Sequence, residues 1–171
     1  MASRNHKIFE GLVRSYHADL FRYAIFLCHN DQIAIDLVQE VYLRAWKNIK
    51  QLKDVSAAKS WLFTILSREN ARCYQKKRPH ILNIDEIQEI ESSVQQEDLH
   101  QKHQLQSAML ELKIEYQEPI LLQILGGFST SEISSILSLN ENTVSTRLFR
   151  ARHQLKNIFD GQPGLRGHDC G

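Results

Sequence analysis

Between Phe128 and Phe159 the chain reads FSTSEISSILSLNENTVSTRLFRARHQLKNIF. Two helical periods follow each other across a three-residue break, and few arrangements other than a helix-turn-helix accept that pattern. Ser129 or Thr130 is placed to cap the first helix, with Glu132 or Ile133 in its first turn. Ile133, Ile136 and Leu137 supply its apolar face. Ser138-Leu139-Asn140 forms a tight connection in which Asn tolerates turn geometry, and Asn142 or Thr143 caps the next helix.

Advancing about 100° per residue along that second helix puts Val144, Leu148, Ala151, Leu155 and Ile158 on one inward stripe. The opposite face carries Asn142, Thr146, Phe149, Arg150 and His153, with Arg147, Arg152 and Lys156 on its flanks. Short polar groups and Arg suit base edges, an apolar atom suits a thymine methyl, and flanking cations suit phosphates. A solvated basic helix in a bundle is the plainer alternative. An exposed Phe149 among Arg and Thr weighs against it, although a helix–helix contact would also account for that ring.

The 171 residues include 42% hydrophobic side chains but only 7 Gly and 3 Pro, so packed helices rather than turn-rich sheets are expected. The fold class read from the sequence is all-α: two small helical domains joined by a flexible linker, the second a helix-turn-helix. Helices are expected over about 6–28, 31–50, 56–77, 99–112, 115–125, 130–137 and 142–159. Pro79 stops the third, Pro119 is acceptable only near a first turn, and Gly126-Gly127 ends the fifth. Domain limits follow as 1–79 and 104–160, with an acidic linker at 80–103 and a disordered Gly-rich tail at 161–171. No stretch is apolar enough to span a bilayer, the first residues lack a signal-peptide core, and a cytoplasmic location is expected.

Net charge is only +1, but its distribution is uneven. Five cations (Arg68, Arg72, Lys76, Lys77, Arg78) against Glu69 lie between Trp61 and Arg78. Six carboxylates and no Lys or Arg follow between Asn83 and Asp98, then four cations and no acid between Val144 and Lys156. Two basic segments around an acidic one can hold a nucleic-acid footprint inside a neutral total. Cys28, Cys73 and Cys170 make an odd number without a CxxC pair, which fits a reducing compartment better than a disulfide framework.

In the first half, DLVQEVYLRAW (Asp36 to Trp46) turns Ala34, Val38, Val41, Tyr42 and Ala45 inward and Asp36, Gln39, Glu40, Leu43 and Lys47 outward. An apolar centre with a charged rim resembles a protein-docking patch, though a solvated face with one stray Leu gives the same periodicity. WLFTILSRENARCYQKKR (Trp61 to Arg78) begins apolar and becomes polar on nearly all sides after Leu66. Arg68, Arg72 and Gln75 recur at one-turn intervals near Tyr74, a pattern suited to a nucleic-acid strand that needs neutralised phosphates and a ring for an unstacked base. A basic helix end favoured by the helix dipole is the alternative.

Taken in order, these blocks resemble the extracytoplasmic-function (ECF) group of sigma factors, over about residues 8–160. The resemblance implies a factor that binds core RNA polymerase, directs it to promoters and assists their opening. Asp36, Gln39, Glu40, Leu43 and Lys47 would dock on the clamp helices of the polymerase's largest subunit. Trp61, Arg68, Asn70, Arg72, Tyr74, Gln75, Lys76, Lys77 and Arg78 would engage the −10 element, with base capture falling to Arg68 or Asn70. Asn142, Thr143, Ser145, Thr146, Arg147, Phe149, Arg150 and Arg152 would read the −35 element, and the second domain would meet the flap of the second-largest subunit. The linker would thread near the RNA exit path, and a dedicated anti-sigma factor is implied as a further partner.

Two other classes compete. A one-component or response-type regulator would need a ligand- or phosphate-receiving first domain, and neither the strands nor an acidic pocket are present. An enzyme would need catalytic residues, yet no Gly-rich phosphate loop, GxSxG or HExxH occurs, so no catalytic residue, cofactor or small-molecule substrate is expected. His100 and His103 with Glu97 nearby could form one face of a metal site, but two His at helical spacing are more often surface residues, and no metal is expected.

Overall fold

In the computed structural model the described backbone covers residues 2–77 and 96–161, and the described side chains 4–73 and 104–161. These residues form seven α-helices and no strand: α1 (Ala2–Cys28), α2 (Asp31–Asn48), α3 (Ala58–Lys77), α4 (Gln96–Glu111), α5 (Ile114–Ile124), α6 (Thr130–Leu137) and α7 (Glu141–Asp160). Short 3-10 turns at Ile49–Gln51 and Val55–Ala57 lead from α2 into α3. The all-helical expectation and the two helical units are met. The acidic residues 80–95 and the tail from 162 lie outside the described residues, while α4 starts at Gln96, inside the segment assigned to the linker.

The first unit is a three-helix bundle in which α2 packs on both α1 and α3. Its reversal after α1 is set by His29, which takes a left-handed backbone (φ 50), and Asn30, whose side chain caps α2 by accepting from the Ile33 N–H at 2.9 Å. Ala34, Leu37, Val38, Val41 and Ala45 are the buried residues of α2, so Leu37 joins the expected inner face, and Tyr42 is half-buried. Leu20, Tyr23, Leu62, Phe63 and Leu66 close the core, with Tyr23 and Phe63 ring centres 5.3 Å apart.

The second unit wraps α4, α5 and α6 around α7. Pro119 stands deeper in α5 than the first turn expected from sequence. It removes the N–H that would reach the Glu115 carbonyl, and Glu115 is exposed, where water can satisfy that group. The two glycines end the helix for different reasons. Gly127 has φ +68, which a side chain resists, whereas a Cβ on Gly126 would lie 2.6 Å from the Leu122 carbonyl oxygen and inside the Phe128 ring.

The two units do not stand apart. Phe63 of α3 meets Phe128, just before α6, edge-on at 5.1 Å, and the Lys59 ammonium donates to the Gly126 carbonyl at 2.7 Å while lying 5.4 Å over the Phe128 ring. The core is therefore continuous from one half into the other, where the sequence suggested two domains on a tether.

Candidate nucleic-acid interface

The α6–α7 pair is set by its caps. Ser129 and Glu132 form a reciprocal capping box at the start of α6, worth about 1 kcal/mol. The left-handed residue of the turn is Ser138 (φ 55), not the Asn expected there. Asn140 is extended (φ −77, ψ 154) and accepts from the Thr143 N–H at 2.7 Å, so Asn140, rather than Asn142 or Thr143, caps α7. The difference matters for the surface, because Asn142 then stands in the first turn with its side chain free to face a ligand.

Val144, Leu148, Ala151 and Leu155 are buried and Ile158 half-buried, which matches the inward stripe read from sequence. Asn142, Ser145, Thr146, Arg150 and Arg152 are exposed, Phe149 is 69% exposed, and Thr143 and Arg147 are half-buried. Helix α5 braces this face from behind. The Tyr116 hydroxyl accepts from Arg150 Nη1 at 3.4 Å, and Gln123 Oε1 accepts from Arg152 Nη2. The hydrogen bond and proximity of Tyr116 raise the Arg150 pKa further, so its charge is permanent. Tyr116 and Gln123 were missed in the sequence because periodicity assigns each only to α5.

Along α3 the expected contacts divide. Arg68 is exposed, and Arg72 is exposed but pairs with Glu69 at 3.4 Å. Trp61 is half-buried and, with Ser60, Thr64, Ser131, Ser135 and Ile136, lines an open groove of about 310 Å³ between α3 and α6. Asn70 is buried at 5% exposure, beside Ser67 at 6%. Ser67 Oγ donates to Glu118 Oε1 at 3.1 Å, and the Asn70 side chain hydrogen-bonds to the same carboxylate. The side chains of Tyr74, Gln75, Lys76 and Lys77, and all of Arg78, lie outside the described residues, as do the His100 and His103 side chains.

On α2, Asp36, Gln39 and Lys47 are exposed around Leu43, itself 56% exposed, and Glu40 is half-buried. Arg44 Nε lies 2.8 Å from both Glu40 Oε1 and Glu69 Oε1, tying this face to α3. Trp46, 43% exposed, extends the apolar centre and packs on Phe9 and His6 of α1. The Glu40–Arg44 spacing was visible in the sequence; the reach of Arg44 to Glu69 was not.

Family models place the same surfaces in a known frame. Sigma-70 region 2 matches residues 12–79, and sigma-70 region 4 matches residues 102–155. The RNA polymerase sigma factor SigV of Bacillus subtilis is 30% identical over 139 residues, covering 81% of this chain and 83% of SigV. The ECF RNA polymerase sigma factor EcfG of Rhodopseudomonas palustris is 31% identical over 139 residues, covering 80% of this chain and 77% of its own length. The chain belongs to the ECF group of the sigma-70 family. Among solved structures, the sigma factor RpoE of Bartonella quintana, in complex with the anti-sigma factor NepR, superposes with a TM-score of 0.68 at 26% identity, covering 89% of this chain and 96% of that one. CnrH, in complex with the cytosolic domain of CnrY, shares the fold with a TM-score of 0.71 at 23% identity, covering 94% of this chain and 93% of that one.

As an ECF sigma factor, the chain carries its region 2 match on α1, α2 and α3 and its region 4 match on α4 to α7. Among the described residues no helix is long and apolar enough to cross a membrane, and no group of His, Cys, Asp or Glu could hold a metal ion.

Proposed function

We propose that this ECF sigma factor works in the cytoplasm as a non-catalytic adaptor. It docks on the clamp helices of core polymerase through Asp36, Gln39, Glu40, Leu43 and Lys47, and reads the −35 element through Asn142, Thr146, Phe149 and Arg150 of α7. The basic second half of α3, with Trp61 at its start, engages the −10 element. Region 4 also meets the polymerase flap. The chain contributes binding free energy alone: cations for phosphate, base-edge readout, and capture of unstacked bases as the duplex opens. The likeness to RpoE, solved with NepR, supports control by an anti-sigma factor.

The observation that carries this reading is the α7 face. A 69% exposed Phe149 flanked by Thr146 and by an Arg150 braced on Tyr116 is costly as a solvated surface and useful against a major groove. The test is run-off transcription with core polymerase on a promoter library. Arg150→Ala should lower output from −35-dependent promoters by about tenfold, the scale of one bidentate base contact, with polymerase affinity unchanged. Leu43→Ala should instead weaken polymerase binding. Unchanged transcription by Arg150→Ala would refute the face assignment, and unchanged polymerase affinity of Leu43→Ala would refute the docking patch.

A further inference from the structure

Arg150 is exposed on α7, yet its guanidinium is held from behind. The Tyr116 hydroxyl, 34 residues earlier in the chain, accepts from Arg150 Nη1 at 3.4 Å, and the neighbouring Glu115 carboxylate adds a favourable charge. The anchor itself is fixed. Tyr116 is only 4% exposed, and its N–H donates to the Lys113 carbonyl at 2.8 Å. Beside it, the buried Gln117 donates from Nε2 to the Leu112 carbonyl at 2.9 Å. The first turn of α5 is thus pinned to the end of α4, and the Tyr116 hydroxyl reaches Arg150 from that turn.

We infer that Tyr116 is a specificity-determining positioning residue: its hydroxyl holds Arg150 by Nη1 and so sets the free edge of the guanidinium against one guanine of the −35 element. The inference rests on the assignment of α7 to the −35 element and adds to it a residue outside the recognition helix.

The chemistry of the guanidinium makes such a hold useful. Its five N–H groups lie in one plane, with Nη1 and Nε on opposite flanks. Holding Nη1 leaves the Nε–Nη2 edge open, and two parallel N–H groups are what guanine O6 and N7 accept in the major groove. An unrestrained surface arginine has many rotamers, and a bidentate contact has to order them. A tether at one end removes part of that cost in advance and presents a plane, not a point charge, to the base. Packing alone gives no reason for the tyrosine oxygen. A phenylalanine ring would fill the same space, and a buried hydroxyl is costly unless hydrogen-bonded. Among the described residues, Arg150 is the hydrogen-bond partner of that hydroxyl. Arg152 provides the contrast. It is tied to α5 through Gln123, but on the flank where cations meet phosphate, and a phosphate contact carries no base preference.

The test uses the full chain with core polymerase on a promoter library randomised across the −35 element, with transcript yield read for each sequence. Arg150→Ala locates the position at which a guanine matters. Tyr116→Phe keeps the buried ring and should lower output about fivefold from promoters with guanine there, the scale of one hydrogen bond. Promoters with another base at that position should be unchanged. In the Arg150→Ala chain the same substitution should have no further effect on the preference, and Gln123→Ala should change output evenly across the library. Equal guanine preference in Tyr116→Phe and wild type, with the Arg150→Ala effect present, would overturn the role of Tyr116 and leave the −35 assignment standing. A stronger guanine preference in Tyr116→Phe would overturn it too, because the hydroxyl would then be drawing Arg150 away from the groove. So would the same loss from Gln123→Ala, which would trace to a loosened α5 rather than to one oxygen. An Arg150→Ala chain with unaltered preference at every position would remove the α7 assignment and the inference together.

Discussion

Removing Arg44 separates a buried interaction from a surface one within a single side chain. Its Nε sits 2.8 Å from carboxylate oxygens of both Glu40 and Glu69. Glu40 has a side chain 43% exposed, so that pair is an exposed i,i+4 contact worth about 0.3–0.5 kcal/mol. Glu69 is different: its side chain is 7% exposed, and its other cation, Arg72, is half-exposed and more distant at 3.4 Å. Breaking a fully buried ion pair costs about 3–5 kcal/mol, chiefly because the remaining charge stays desolvated. Three features lower that figure here. The Arg44 side chain is 36% exposed, Arg72 remains, and the Arg44 Nε contacts are short without being aligned as hydrogen bonds. We therefore expect Arg44→Ala to cost about 2 kcal/mol, including lost packing of the arginine stem.

With a urea dependence of about 2 kcal/mol per molar, that loss moves the unfolding midpoint down by roughly 1 M. Glu40→Ala should move it by less than about 0.3 M, since only the exposed pair is lost. Glu69→Gln keeps the shape and removes the buried charge, so it should recover most of the stability of the Arg44→Ala chain when the two are combined. Far-UV circular dichroism during urea unfolding reads all four chains. Equal shifts for Arg44→Ala and Glu40→Ala would refute the reasoning, as would a Glu69→Gln double variant no more stable than Arg44→Ala.

Two further outcomes are expected. Gly126→Ala should cost about 2–3 kcal/mol, because its Cβ would meet the Leu122 carbonyl oxygen at 2.6 Å and displace Phe128 from Phe63; a thermal-melt midpoint within 1–2 °C of wild type would contradict this. His29 has its pKa lowered from 6.5 by burial, with the Gln117 hydrogen bond opposing. Its contribution is thus fully present above 6.5 and lost as pH falls through the lower folded value. Glu118, with a raised pKa, runs the other way, losing stabilisation as pH rises, so the imidazole is isolated by comparison with His29→Asn, a residue that accepts the left-handed backbone. Melting between neutral and mildly acidic buffer should fall more for wild type than for His29→Asn, and parallel curves would rule the imidazole out.

What the sequence made legible was direction, inward or outward, along each helix. The stripe of Val144, Leu148, Ala151 and Leu155 and the outward Phe149 and Arg150 were readable because a 3.6-residue period allows one solution over 20 residues of α7. Ends were harder. Asn140 and Asn142 are both good caps, and only the backbone, left-handed at Ser138 and extended at Asn140, decides between them. Pro119 misled for a related reason: its penalty depends on whether the deprived carbonyl reaches water, which Glu115 at the surface allows.

Periodicity does not say what covers an outward residue, and the seam between the halves follows from that gap. Ser67 and Asn70 lie just after the apolar start of α3, where the pattern turns polar and reads as a surface offered to DNA. The structure instead buries both beneath α5, a helix some 50 residues away in sequence that carries two carboxylates, the exposed Glu115 and the half-buried Glu118. An acid placed there has two explanations, solvation or an unseen partner. Two donors from another half of the chain, with a guanidinium nearby, decide for the partner. The contact is polar throughout: Ser67 and Asn70 reach Glu118 from the other half of the chain, while Arg147 lies in the same half as Glu118 and acts on it by charge.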